Sequence, residues 1–474
     1  MLHESVWRDT AVLVRVAFVR SLKPQRTLVP RVAFIPRLGG RRRPTRVLEE
    51  MLLQRARGAT RCTRALTLLS PSRRLLSSEA ASEGSELVLI SNPPGLRVID
   101  LNRPQALNSL NAEMVGTLLP LVQNWQTIGG DVKLVAVRGT GARAFCAGGD
   151  IRFLHECASS GTAAGRKPAL DFFREEYTLN HAIGTSRVPF VSIWDGIVMG
   201  GGVGLSVHGA FRVATENTIF AMPETGIGFF PDVGGTYFLP RLRGALGMYL
   251  GLTGARLTGR DVLTAGVATH FVPQERIEAL EALLLEFAGN TQGKTNTLES
   301  NKDFVDEVAL SRAMTSLDRL AGHMPSEGEA EASMPQMLDE VTLRQIDDAF
   351  GRESVDEVKS AVEAMAADAT ARGDARHWAM GAAREMSRAS PTSLAVTFEA
   401  LRRGRDCASL AECLEMEFRM AQRFMTHPDF TAGVGAVLSK DKSQTREWAP
   451  PPSAAEIQEW FVHVEGGESA LALE

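Results

Sequence analysis

The sequence predicts an α/β fold whose core stacks strands in layers, followed by a helical C-terminal region. Three observations predict it. Short apolar runs of strand type alternate with segments of helical period between residues 87 and about 290, the pattern of α/β architectures. Glycine clusters stand where two of those runs give way to helices. Beyond about residue 290 the strand signals stop and helical periodicity continues.

The elements follow in order. "SELVLIS" and "LRVIDLN" read as two strands about the turn "NPPG". "ALNSLNAEMVGTLLPLVQNWQ" places Met114, Leu118, Leu119 and Val122 at helical spacing. "VKLVAVRGTG" is a buried strand closed by glycines, and "AFCAGGDIRFLHE" is a loop running into a helix. "VPFVSIWDGIVMGGGVGLSVHG" repeats that plan; "FRVAT" and "TIFAM" add strands, and "GALGMYLGL" lies in a later helix. Farther on, "SEGEAEAS" (326–333) is polar, "LRQIDDAFGRESVDEVKSAVEAMAADA" is amphipathic helix with an acidic face, and "SLAECLEMEFRMAQRFM" is helix with an apolar stripe. Residues 295–390 carry no chemical motif and read as a packing insertion. The expected organisation is a leader over 1–78, a core over 84–290, a helical region over 295–462 and a tail over 463–474.

Composition narrows the classes. Hydrophobic residues at 44% and charged residues at 23% suit a soluble globular chain. No apolar run reaches the roughly 18 residues of a membrane span, and the nearest, "AVLVRVAFV", is cut by Arg15. The net charge of −4 conceals an asymmetry: residues 1–78 hold 17 of the 52 basic residues and four of the 56 acids, leaving 35 against 52 downstream. A basic, acid-poor leader before an acidic body is the composition of an organelle transit peptide. From Met51, an alternative start, six arginines precede the first acid, Glu79. A nucleic-acid-binding tail is the competing reading, but these arginines are spread among leucines, and the acidic body disfavours phosphate-backbone binding. Five cysteines without a CxxC pair, and nine histidines without HExxH, predict reduced thiols and no metal site.

The chemistry concentrates in three stretches. "FCAGGDI" and "MGGGVGL" each place glycines between strand and helix, where backbone N–H groups lack partners and a ligand can approach closely. Two such donors converging make an oxyanion hole; the phosphate-binding patterns GxGxxG and GxxxxGK[ST] are absent. "MPETGIGFFPDVGG" holds two carboxylates, Glu224 and Asp232, in an apolar setting. A buried unpaired carboxylate is costly, so structure neutralises such a pair or chemistry uses it. Cys146, His155 and His208 read as structural.

Five segments in order, "LNRPQALNSLN", "AFCAGGDI", "DGIVMGGGVGLS", "FAMPETGIGFFPDVGGTYFLPRL" and "LTGARLTGRDVLTAGVATHFV", resemble the crotonase (enoyl-CoA hydratase/isomerase) superfamily. "FFREEYTLN" and "GGGVGLSVHGAFRVATE" narrow the resemblance to its 3-hydroxyisobutyryl-CoA hydrolase branch. The resemblance implies a crotonase-type layered β-β-α spiral core and a mitochondrial matrix enzyme that hydrolyses a short 3-hydroxyacyl-CoA thioester in valine breakdown. It implies backbone amides of Gly149 and Gly201 as the oxyanion hole, Glu224 and Asp232 as catalytic carboxylates, and Glu176 as a binder of the acyl group. No cofactor is implied, since CoA belongs to the substrate; homo-oligomerisation stays open. One catalytic glutamate of the hydratases matches Glu224; the other matches Gly204, and Asp232 stands where hydratases carry glycine. Near the end, Ala432 and Gly435 replace the branch's usual acid and arginine. The alternatives are an enoyl-CoA hydratase/isomerase and a hydrolase-like structural subunit of the mitochondrial ribosome.

Overall fold

The computed structural model describes residues 85–126, 130–289, 305–320, 337–368, 374–439, 446–464, 467 and 470–473. The leader expected over 1–78 and the polar stretch 326–333 lie outside them.

Among the described residues, ten strands form two sheets. In chain order they are β1 (Val88–Ser91), β2 (Leu96–Leu101), β3 (Leu134–Gly139), β4 (Ala144–Cys146), β5 (Phe190–Trp194), β6 (Ile197–Met199), β7 (Phe211–Ala214), β8 (Ile219–Ala221), β9 (Leu257–Thr258) and β10 (His270–Phe271). The larger sheet runs β1-β2-β3-β5-β7-β10 and the smaller β4-β6-β8-β9. Three successive units, β3-β4, β5-β6 and β7-β8, therefore send their first strand to one sheet and their second to the other, each ending in a helical segment. That is the layered β-β-α spiral. Among these strands, only β1 with β2 and β8 with β9 pair antiparallel. The register Ile99–Val137–Ser192–Arg212 crosses four parallel strands.

Local sequence accounts for these elements. β5 is buried throughout and β3 nearly so, which is why "LVAVR" and "FVSIW" read as unbroken runs rather than alternating ones. The helix Ala112–Trp125 starts where the Asn111 side chain accepts the Met114 amide, a cap worth about 1 kcal/mol. It buries Met114, Leu118 and Val122 on one face.

The acidic amphipathic stretch divides into two helices, Glu340–Phe350 and Val355–Ala367. Gly351 closes the first, and the Ser354 side chain accepts the Glu357 amide at 3.2 Å to begin the second. Capping inside an amphipathic pattern ended one helix and began another.

The C-terminal helices pack on the core. Phe418 meets Tyr177 edge-on, and Phe424 and Phe430 pack against Phe229. This face of the core belongs to the catalytic candidates.

Candidate active site

β4, β6 and β8 lie side by side and parallel, so their carboxyl ends deliver "AGGD", "GGG" and "MPE" to one place. Ligands of α/β folds gather at such strand ends. The first loop is pinned by Asp150, which caps the helix Ile151–Ser159 and receives Arg103 Nη2 at 2.8 Å. Asn108, buried at φ 56°, anchors the neighbouring turn by donating to the Thr140 and Ala144 carbonyls. The "LNRPQALN" motif thus supports the glycine loop.

The two glycine loops meet. A Cβ placed on Gly201 would lie 3.2 Å from the Gly149 amide nitrogen and would overlap Glu176 Oε1. Gly200 holds φ +46°, and a Cβ there would come within 2.9 Å of Glu224 Oε1. Glycine is needed at both positions because backbone and carboxylates already fill the space. Gly201 opens the helix Gly201–Val207, so its amide has no intrahelical acceptor.

Three carboxylates surround these amides. Glu224 opens the 3₁₀ turn Glu224–Ile227 after Pro223, Asp232 follows one loop later, and Glu176 comes from the long helix Ala163–Gly184. Their exposures are 6%, 5% and 2%. Glu175 is exposed, so Glu176 is the inward member of the pair. Glu224 Oε2 and Glu176 Oε1 are buried with no hydrogen-bond partner among the described residues, which leaves both atoms to a bound molecule. Burial, reinforced by the Asp232 charge, pushes the carboxyls of Glu224 and Glu176 well above the ordinary range. Burial raises Asp232 to about 7, while the Tyr177 hydroxyl, which donates to Asp232 Oδ2 at 2.8 Å, holds it down.

All five residues singled out in the sequence line one cavity of about 780 Å³. Phe172, Phe173, Phe229 and Phe430 give it apolar walls. Arg256, Arg384, Arg388 and Arg446 also line it, and the first three are exposed. Met337, Trp378, Arg384 and Arg388 in its wall come from the tract 295–390, which is therefore more than a packing insertion.

Gly204 lies in the buried helix behind the second loop. A Cβ there would overlap Val233 Cβ and sit 2.8 Å from Val233 Cγ2. Sequence reading missed Tyr177, whose signal was its place beside Glu176 in "FFREEY". His208, read as structural, braces the loop before Gly234: its Nε2 lies 2.8 Å from the Val233 carbonyl oxygen. Cys146 is buried, with its thiol pushed up to about 12 by desolvation, and is inert.

The chain belongs to the enoyl-CoA hydratase/isomerase family, whose description matches residues 96–463. Within that class it is similar to the protein named 3-hydroxyisobutyryl-CoA hydrolase, mitochondrial, of Danio rerio, at 43% identity over 388 residues, covering 82% of this chain and 90% of that one. The human protein of the same name is 41% identical over 369 residues, covering 78% and 86%. Among solved structures, a carnitinyl-CoA dehydratase from Mycobacterium thermoresistibile superposes with a TM-score of 0.65 at 33% identity, covering 82% of this chain and 99% of that one.

Proposed function

We propose that this chain hydrolyses the thioester of 3-hydroxyisobutyryl-CoA, or of a similar short 3-hydroxyacyl-CoA, in the mitochondrial matrix, as a step of valine breakdown. The observation that carries the reading is the place of the carboxylates. Glu224 stands beside the paired Gly149 and Gly201 loops, and the site of the second hydratase glutamate is closed because Val233 occupies the space over Gly204. The names of the relatives support the same substrate and a mitochondrial location.

The thioester carbonyl oxygen is bound by the Gly149 and Gly201 amides, each donor worth about 2.7–4 kcal/mol to the transition state in comparable sites. Glu224 drives the attack on the carbonyl carbon, through its own oxygen or through a water that it deprotonates. Its basicity is raised by burial, which suits either task. The C–S bond then breaks and the CoA thiolate leaves, taking the proton that Glu224 drew from the attacking water. Where Glu224 itself attacked, the thiolate takes its proton from solvent, and a water then hydrolyses the acyl–Glu224 anhydride to the free acid and restores the carboxylate. Asp232 orients the water or the substrate hydroxyl. Glu176, buried with its Oε1 beside the Gly201 loop, binds the acyl group's polar end. The phenylalanines seat the short carbon chain, and the arginines lining the cavity complement the phosphates of CoA. No separate cofactor enters the reaction.

The test is release of free thiol from the hydroxyacyl thioester, measured beside hydration of a crotonyl-type thioester. Thiol release without hydration is expected; hydration without thiol release overturns the reading. Multiple-turnover hydrolysis in ¹⁸O-water places label on Glu224 only if Glu224 attacks directly. Co-sedimentation with mitochondrial ribosomes, in place of turnover, would assign the chain to the ribosomal alternative.

A further inference from the structure

We propose that Glu417, in the C-terminal helix Leu410–Phe424, is the positioning residue for Asp232. The inference rests on the reading that Asp232 acts in the reaction.

The loop that carries Asp232 is strained. Val233 adopts φ +53° and Gly234 φ +82°. Positive φ is unfavourable for a β-branched residue, and such a conformation persists only where the surroundings over-determine it. Here they do so from three separate elements. Glu417 Oε2 accepts the Gly234 amide at 2.7 Å, and Glu417 Oε1 accepts the Thr236 amide at 2.9 Å and the Thr236 hydroxyl at 2.6 Å. His208 holds the Val233 carbonyl from the other side. Its ring is neutral, because burial lowers it to about 4, so the Nε2 proton is the one shared with that oxygen. Tyr177 then fixes the Asp232 carboxylate itself.

Glu417 is fully buried, in a helix whose buried neighbours Leu414, Phe418 and Ala421 pack as ordinary core. A leucine would fill the space at less cost than a buried carboxylate. Three donors from one short loop converge on its two oxygens, and they account for the acid. Glu417 does not line the cavity, so it acts on the reaction through the loop and not through the substrate.

The experiment is a double-mutant cycle on the full chain. Glu417→Gln keeps the shape and one accepting oxygen, but turns an amide donor toward another donor. Its kcat is expected to fall by at least about tenfold, within the ~100-fold cost of misplacing a group by 1 Å, with KM unchanged. In the Asp232→Asn background the same substitution is expected to change kcat no further, since coupled residues are non-additive. Equal losses in both backgrounds overturn the proposal, as does a KM rise with kcat unchanged. If Glu417→Gln does not fold, Thr236→Val removes the hydroxyl contact alone while both amide bonds remain. It should show a smaller kcat loss that likewise disappears with Asp232→Asn, and persistence of that loss overturns the proposal. Wild-type kcat for Asp232→Asn alone overturns the underlying reading of the site, and is distinguishable because it appears before Glu417 is touched.

Discussion

Replacing Asp232 with asparagine should stabilise the protein above neutral pH while removing its activity. The Asp232 side chain is buried beside two other acids, Glu176 and Glu224, and burial moves its carboxyl from 3.8 to about 7. The folded protein therefore holds this proton more tightly than the unfolded chain does. The associated stability is complete below 3.8, declines as pH rises, and is lost once pH passes about 7. Each tenfold step in proton affinity is worth about 1.36 kcal/mol, so the interval between the two values amounts to ~4 kcal/mol. Asparagine has nearly the same shape, cannot ionise, and retains an oxygen for the Tyr177 hydroxyl. Urea unfolding of both proteins at about pH 4 and about pH 9 reads the difference. The variant should have the higher midpoint at the alkaline pH, and the gap should close toward the acidic one. Stability curves that run parallel across the range would refute the placement of a raised, buried carboxyl at this position. In the same samples, the variant's kcat/KM should stay far below wild type at both pH values.

Three further outcomes are expected. Glu224→Gln should lower kcat by about 10²- to 10⁴-fold, the range for loss of a positioned acid or base, with KM largely kept; turnover at the wild-type rate would remove Glu224 from the chemistry. Gly204→Glu restores the residue type that hydratases carry, yet its Cβ meets Val233. It should destabilise the fold by at least the roughly 1–3 kcal/mol of overpacking and yield no hydration of a crotonyl-type thioester; a folded, hydrating variant would contradict the packing described. Arg388→Glu, which changes an exposed arginine lining the cavity, should raise KM for the CoA thioester and leave KM for the matching pantetheine thioester unchanged. An equal effect on both substrates would place the phosphates elsewhere.

The fold and much of the site are legible in the sequence because their signals are local. A glycine cluster after an apolar run marks a strand end opening toward a helix, and two such clusters announced the loops of Gly149 and Gly201. Glu224 and Asp232 stood out because ionisable groups are scarce in "MPETGIGFFPDVGG". The choice of Glu176 over Glu175 came from the family resemblance and not from the residues' own pattern. Both lie on one helix, and only the packing of that helix turns one of them inward. The division of the acidic helix at Gly351 and Ser354 was a missed cap, though its residues were in plain view.

What the sequence by itself determined is the alternation of elements, the glycine loops and the types of group available for thioester chemistry, since each depends on near neighbours along the chain. The tertiary structure decided the rest. It brought Glu417 to a loop 183 residues earlier, closed the space over Gly204 with Val233, and placed four arginines in the wall of the cavity that holds Glu224. Those contacts join distant parts of the chain. The strain at Val233 and the raised carboxyls also exist only once packing has excluded water, because a carboxylate's proton affinity is set by its surroundings and no run of letters contains them.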